Sequence, residues 1–129
     1  MLQHRARRAL FYLGLSGVYL EIYLISSAAM RKLNKTFRKK NKVTDVLSFE
    51  MPKSFILPKL PFRPVGQIYL APEYIKRHIG KSHADINFLL VHGLLHLLGY
   101  DHVRKGDMIK MQHKEEFLMT KLKIPTDHY

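Results

Sequence analysis

A chain of 129 residues with 47% hydrophobic content can bury one continuous core but is too short for two ordinary domains, so a single domain over residues 1–129 is expected. Twenty-two Lys and Arg against ten Asp and Glu leave a formal charge of +12, which attracts polyanions and ranks RNA, DNA or a ribosome-like surface first among partner classes. There is no cysteine, which excludes disulfides, thiolate-ligated zinc and cysteine nucleophiles and leaves His, Asp and Glu to hold any metal.

The first residues imitate a signal peptide, with Arg5, Arg7 and Arg8 ahead of Leu10-Phe11-Tyr12-Leu13 and a small-residue Ser26-Ser27-Ala28-Ala29 further on. Gly14, Ser16, Gly17 and Glu21 break the apolar run well short of the ~20 residues a membrane span requires. A cytoplasmic protein with no membrane partner is therefore expected. Residues 3–13 read as a helix with Gly14 and Gly17 as stop signals. In Val18-Tyr19-Leu20-Glu21-Ile22-Tyr23-Leu24 the alternate residues Val18, Leu20, Ile22 and Leu24 share a face, the pattern of a half-buried strand. Ser26 or Ser27 can cap a helix running to about Arg38 that buries Ala29, Met30 and Leu33. That helix feeds a basic turn, and residues 31–42 hold seven cations and no acid.

Thr44-Asp45-Val46-Leu47-Ser48-Phe49 reads as a second strand, and Pro52, Pro58, Pro61 and Pro64 mark a loop after it. Gly66-Gln67-Ile68-Tyr69-Leu70 reads as a third strand. Pro72 suits the first turn of a short helix to about His78, with Gly80 ending it. Ser82 and Asp85 resemble a capping box before the apolar run from Ile86. The helix this box opens should reach Leu98, and its apolar residues cover nearly the whole circumference, which marks a central, buried rod. A last helix spans about Arg104 to Leu122. The expected fold class is α/β (α+β-like): a small mixed sheet packed with helices around that central helix.

The chemistry sits in His92-Gly93-Leu94-Leu95-His96-Leu97-Leu98-Gly99-Tyr100-Asp101-His102. Residues four apart on a helix lie one turn above each other, so His92 and His96 present two imidazoles on one face. Gly99 can adopt the left-handed conformation that ends a helix, letting His102 return toward the same point. Three imidazoles leave a tetrahedral ion with a fourth position for water, and an ion so held can lower the pKa of that water to about 7. For any one of these histidines a core or surface role is the simpler reading. Three at this spacing on an otherwise apolar helix would leave imidazoles buried without partners unless a cation collects them. One divalent ion is expected, zinc first, although nickel and copper also accept imidazole.

This segment resembles the signature of the YbeY family, bacterial metal-dependent endoribonucleases of ribosomal RNA maturation. The likeness extends to Leu33-Asn34, Arg38, Thr44-Asp45-Val46-Leu47-Ser48-Phe49 and the strand from Gly66. It implies helices packed on a small mixed sheet, ligands matching His92, His96 and His102, a functional arginine matching Arg38, and action on single-stranded RNA, with ribosomal RNA or a ribosomal subunit as partner. The chain departs from the family at Gln67, where members commonly carry an acid, near Val43, where they carry a proline, and in an N-terminal region that is shorter than usual.

The same spacing matches metzincin peptidases, whose motif is His-Glu-x-x-His-x-x-Gly-x-x-His. In those enzymes the Glu after the first His activates water, and Gly93 stands in its place. Phosphodiester hydrolysis leans less on that Glu, because a metal and an arginine can handle the phosphoryl oxygens. Arg38 is the candidate phosphate clamp, since a guanidinium fork matches phosphate bidentately. From composition alone, an arginine in a seven-cation stretch is a solvated charge, and the family likeness is what raises Arg38 above Lys35 or Lys39. Asp45 and Asp101 read equally as acceptors that orient an imidazole and as turn stabilisers. A third function is an RNA-binding ribosome assembly factor with a structural metal, which His113, His83 or Asp101 in the fourth position would favour.

Overall fold

The computed structural model describes residues 2–15, 17–50, 63–78, 86–100 and 105–122. The elements run α1 (Leu2–Tyr12), β1 (Val18–Leu24), α2 (Ser27–Arg38), β2 (Val46–Glu50), β3 (Arg63–Leu70), α3 (Pro72–His78), α4 (Ile86–Leu97) and α5 (Lys105–Lys121). The strands form a mixed sheet in the order β1-β3-β2, with β1 parallel and β2 antiparallel to the central β3. This is the α/β class, with helices against both faces of a small sheet.

Strand alternation assigns the two faces. Leu20 and Ile22 of β1, Ile68 and Leu70 of β3 and Val46 of β2 join the main core with α1, α4 and α5. Their neighbours in sequence point the other way, where Leu47, Phe49 and Tyr69 pack with Met30 and Leu33 of α2. The side chains of Leu90, Val91, Leu94 and Leu95 are buried, so α4 is the central rod expected from its apolar circumference.

Two boundaries differ from the sequence reading. β2 begins at Val46 rather than Thr44, because the Asp45 carboxylate accepts hydrogen bonds from the Val46 N–H at 2.7 Å and the Thr44 hydroxyl at 3.3 Å. That local turn engages the Asp45 side chain, while the Asp45 backbone carbonyl still accepts the Ala71 N–H at 3.1 Å just past the end of the ladder. β3 begins at Arg63 and takes in Pro64, which the proline-rich loop was expected to claim. Pro64 lies opposite Tyr19, where the β1 register shifts, and beyond the last β2 pair at Gly66, so its missing N–H falls where the ladder is irregular on one side and open on the other. The expected Ser82–Asp85 capping box lies outside the described residues.

α2 starts as expected from a serine cap: the Ser26 hydroxyl accepts the Ala29 N–H at 3.1 Å. It stops at Lys39, which takes the left-handed conformation with φ 61°. Asn34, buried at 3% exposure, holds that reversal by donating its side-chain amide to the Lys42 carbonyl at 2.9 Å while its own carbonyl accepts from Lys40. The basic turn after Arg38 is therefore fixed by a buried amide.

Candidate metal centre and cleft

α4 lies across the sheet closely enough that any side chain at its glycine would make tight contacts. A Cβ built on Gly93 would stand 3.1 Å from both the Ile68 Cδ1 and the Ser48 Oγ. This close approach brings one turn of α4 to the edge strand β2 and opens a cleft beside it. His92, Gly93, His96 and Leu97 form one wall, Val46 to Glu50 another, and Phe37 and Arg38 at the end of α2 the third, around a volume of about 720 Å³.

Within the cleft His92 Nε2 and His96 Nε2 stand 3.1 Å apart, with rings nearly perpendicular at 77°. The separation suits a shared cation, since two nitrogens about 2.0–2.1 Å from one tetrahedral ion lie roughly 3.3 Å apart. The other nitrogen of His92 is occupied. Its Nδ1 is 2.9 Å from the Glu115 Oε1 on α5, and the Glu115 side chain is only 13% exposed. With Nδ1–H donating to that carboxylate, the lone pair of His92 lies on Nε2 and faces the cleft. Glu115 escaped the sequence reading, although its position on the predicted last helix made it one of the few acids available to face the histidine rod.

Arg38 sits on the same cleft. One of its guanidinium N–H groups donates to the Ser48 carbonyl at 2.9 Å, and the guanidinium carbon lies 5.5 Å from the centre of the Phe49 ring. This double contact aims an otherwise exposed cation over the edge strand. The structure thus brings three of the four expected site residues together on one cleft, while His102 lies outside the described residues. Gly99 has the positive φ of 98° that the expected reversal requires. Among the described residues no group of three His, Cys, Asp or Glu side chains is gathered tightly enough to complete a metal site. Asp45 is occupied with its turn, His113 is exposed on α5, and Asp101 and His83 lie outside the described residues.

The fold and cleft define a class: an α/β protein whose buried central helix offers a paired histidine edge to a cation-flanked groove. The family model for endoribonuclease YbeY matches residues 3–123. The chain belongs to the YbeY family. It is 42% identical over 121 residues to the endoribonuclease YbeY of Myxococcus xanthus, an alignment covering 88% of this chain and 40% of that longer protein. The Aquifex aeolicus relative is 38% identical over 122 residues, covering 91% of this chain and 79% of its own. The solution structure of TM1509 from Thermotoga maritima shares the fold, with a TM-score of 0.58 at 21% identity over 99% of this chain and 89% of that one.

Proposed function

We propose that this chain is a metal-dependent endoribonuclease that cuts single-stranded RNA in the cleft between α4, β2 and the end of α2, and that its substrate is ribosomal RNA. The observation that carries this reading is the facing pair of Nε2 atoms 3.1 Å apart on a cleft that also holds an arginine. His92, His96 and, by the family resemblance, His102 hold one divalent ion, with zinc first. When bound, that ion supplies Lewis-acid activation of water and of the phosphoryl oxygens. The protein's own part is positional. Glu115 fixes the His92 ring, Arg38 binds a non-bridging phosphoryl oxygen pair through its remaining donors, and Gly93 lets α4 lie close against Ile68 and Ser48 beside the cleft. The +12 charge draws the strand in.

The peptidase reading loses support from the same geometry. A glutamate at position 93 is what that chemistry needs, and a Cβ there would already press on Ile68 and Ser48 at 3.1 Å. One comparison tests the assignment. Metal-loaded protein is offered single-stranded RNA, duplex RNA, single-stranded DNA and an unfolded polypeptide, each beside a His96→Ala control that exposes contaminating nuclease. Cleavage of single-stranded RNA alone, lost with the metal in His96→Ala, is expected. Polypeptide cleavage lost in that control would establish the peptidase, and tight RNA binding without any cleavage would establish the assembly factor.

A further inference from the structure

Among the described residues, the sheet face that carries α2 leaves a row of aromatic side chains partly exposed. Phe37 packs edge-on against Phe49 at 5.2 Å, Phe49 edge-on against Tyr69 at 5.7 Å, and Tyr69 stacks on Tyr23 at 5.0 Å with the planes 20° apart. The row begins in the wall of the cleft, where Phe37 and Phe49 sit beside Arg38, and crosses from β2 over β3 to β1. Its middle members are half-buried under α2, as ordinary core aromatics would be. Its ends are not: Phe37 is 60% and Tyr23 39% exposed. β1 is the last strand of the described sheet, so the Tyr23 ring, stacked on Tyr69 by one face and partly exposed, ends the row at that edge.

We infer that this row is a base-stacking track for single-stranded RNA, which carries the strand away from the cleft and receives a base on the outer face of Tyr23. The inference rests on the RNA reading above and extends it from the cut phosphate to the flanking nucleotides. Aromatic rings exposed on a sheet face suit unpaired bases, because every base has a π-face and stacking tolerates any sequence. Charge selects the occupant. α2 has no acid, and its Arg31, Lys35 and Arg38 form a stripe next to the Met30, Leu33 and Phe37 stripe that meets the sheet, so the helix that covers this face is cationic and its Arg38 lies 5.5 Å from the Phe49 ring, which suits a phosphate backbone. One acid, Glu21, lies at the far end, and its carboxylate accepts the Tyr23 hydroxyl. That hydrogen bond is the main reason the Tyr23 phenol is raised above its ordinary value of 10.0, so the ring adds no charge against phosphate.

The test uses metal-loaded protein and labelled oligouridylates of about twelve and about three nucleotides, spanning and falling short of usual single-strand site sizes. Binding is read by anisotropy and by quenching of tyrosine emission, which is directly visible because the chain has no tryptophan. Tyr23→Leu should weaken the longer oligonucleotide about tenfold and leave the shorter one unchanged, consistent with the loss of one stacked base. Tyr23→Phe keeps the ring and should bind as wild type. The slope of affinity against salt should be unaltered in Tyr23→Leu and shallower in Lys35→Ala, since only the lysine releases counterions. Wild-type binding of the longer strand by Tyr23→Leu would overturn the track while leaving the nuclease reading intact. Equal losses in the Leu and Phe variants would also overturn it, by showing that the hydroxyl and not the ring is used. A wild-type protein that binds neither strand would sink the RNA reading and the track with it. A change in sedimentation of Tyr23→Leu from dimer to monomer would assign the face to a second copy of the chain instead.

Discussion

The two helices that meet at the cleft are built on opposite plans. α4 is buried at Leu89, Leu90, Val91, Gly93, Leu94, Leu95 and Leu97, so its histidines ride on a rod held from nearly every side. α2 buries only Met30 and Asn34 and delivers Arg38 from its exposed last turn. The difference follows from what each contact requires. Coordination fails when a ligand moves by a few tenths of an ångström, whereas attraction between a cation and a phosphate falls off slowly with distance. The ligands therefore sit in the core, and the cation needs only one hydrogen bond and one ring to aim it.

The sharpest way to break that contrast is to thicken the rod where it lies closest to the sheet. Gly93→Glu places a full side chain where a Cβ alone meets Ile68 and Ser48 at 3.1 Å, adding steric overlap and a poorly solvated charge. Its stability should fall by roughly 3 kcal/mol or more in urea titrations, with no peptidase activity gained. A wild-type unfolding midpoint would mean that packing is not the reason for the glycine, and would reopen the peptidase reading.

On α2 the same logic predicts a variant that folds normally and fails chemically. Arg38→Ala should leave metal content and melting temperature unchanged and lower single-stranded RNA cleavage by about a hundredfold, the typical loss for one preorganised donor to developing charge. Arg38→Lys should restore only part of the rate, because an ammonium replaces the fork with a point charge. Full activity in Arg38→Ala would remove the residue from the site, and loss of metal in that variant would erase the division of labour between the helices.

The contrast also explains how much was legible in the sequence. Periodicity is strongest where burial is one-sided or complete, so β1, α2 and α4 were found almost to the residue, and the spacing of His92 and His96 carried their juxtaposition with it. Where a local side-chain bond shapes the entry to a strand, as at Asp45, or a proline falls opposite an irregular register, as at Pro64, pattern reading misplaced the strand ends. Tertiary partners were the least visible. Nothing in the spacing of a single chain said that Glu115, 23 residues beyond His92, would return to its ring. Nor did alternation along separate strands reveal that Phe49, Tyr69 and Tyr23 would line up across three of them. Arg38 stood out only through the family resemblance, since the local pattern is the same for each cation in its run.

Glu115 sharpens the comparison at its finest grain, because it asks whether burial of α4 is enough to aim an imidazole. A ring can still turn about its own side-chain bonds on a fixed backbone, and the 2.9 Å contact from Nδ1 to a carboxylate on α5 removes that freedom. Such outer partners typically contribute about 10- to 100-fold in metal affinity. Glu115→Ala should therefore weaken zinc binding by about that factor in competition with a chromophoric chelator. Glu115→Gln, whose amide oxygen still accepts from Nδ1–H, should lose less. A merely structural carboxylate would behave differently: both variants would lower the stability of the metal-free protein while leaving zinc affinity alone. Wild-type zinc affinity in Glu115→Ala would show that the buried rod orients its histidines unaided.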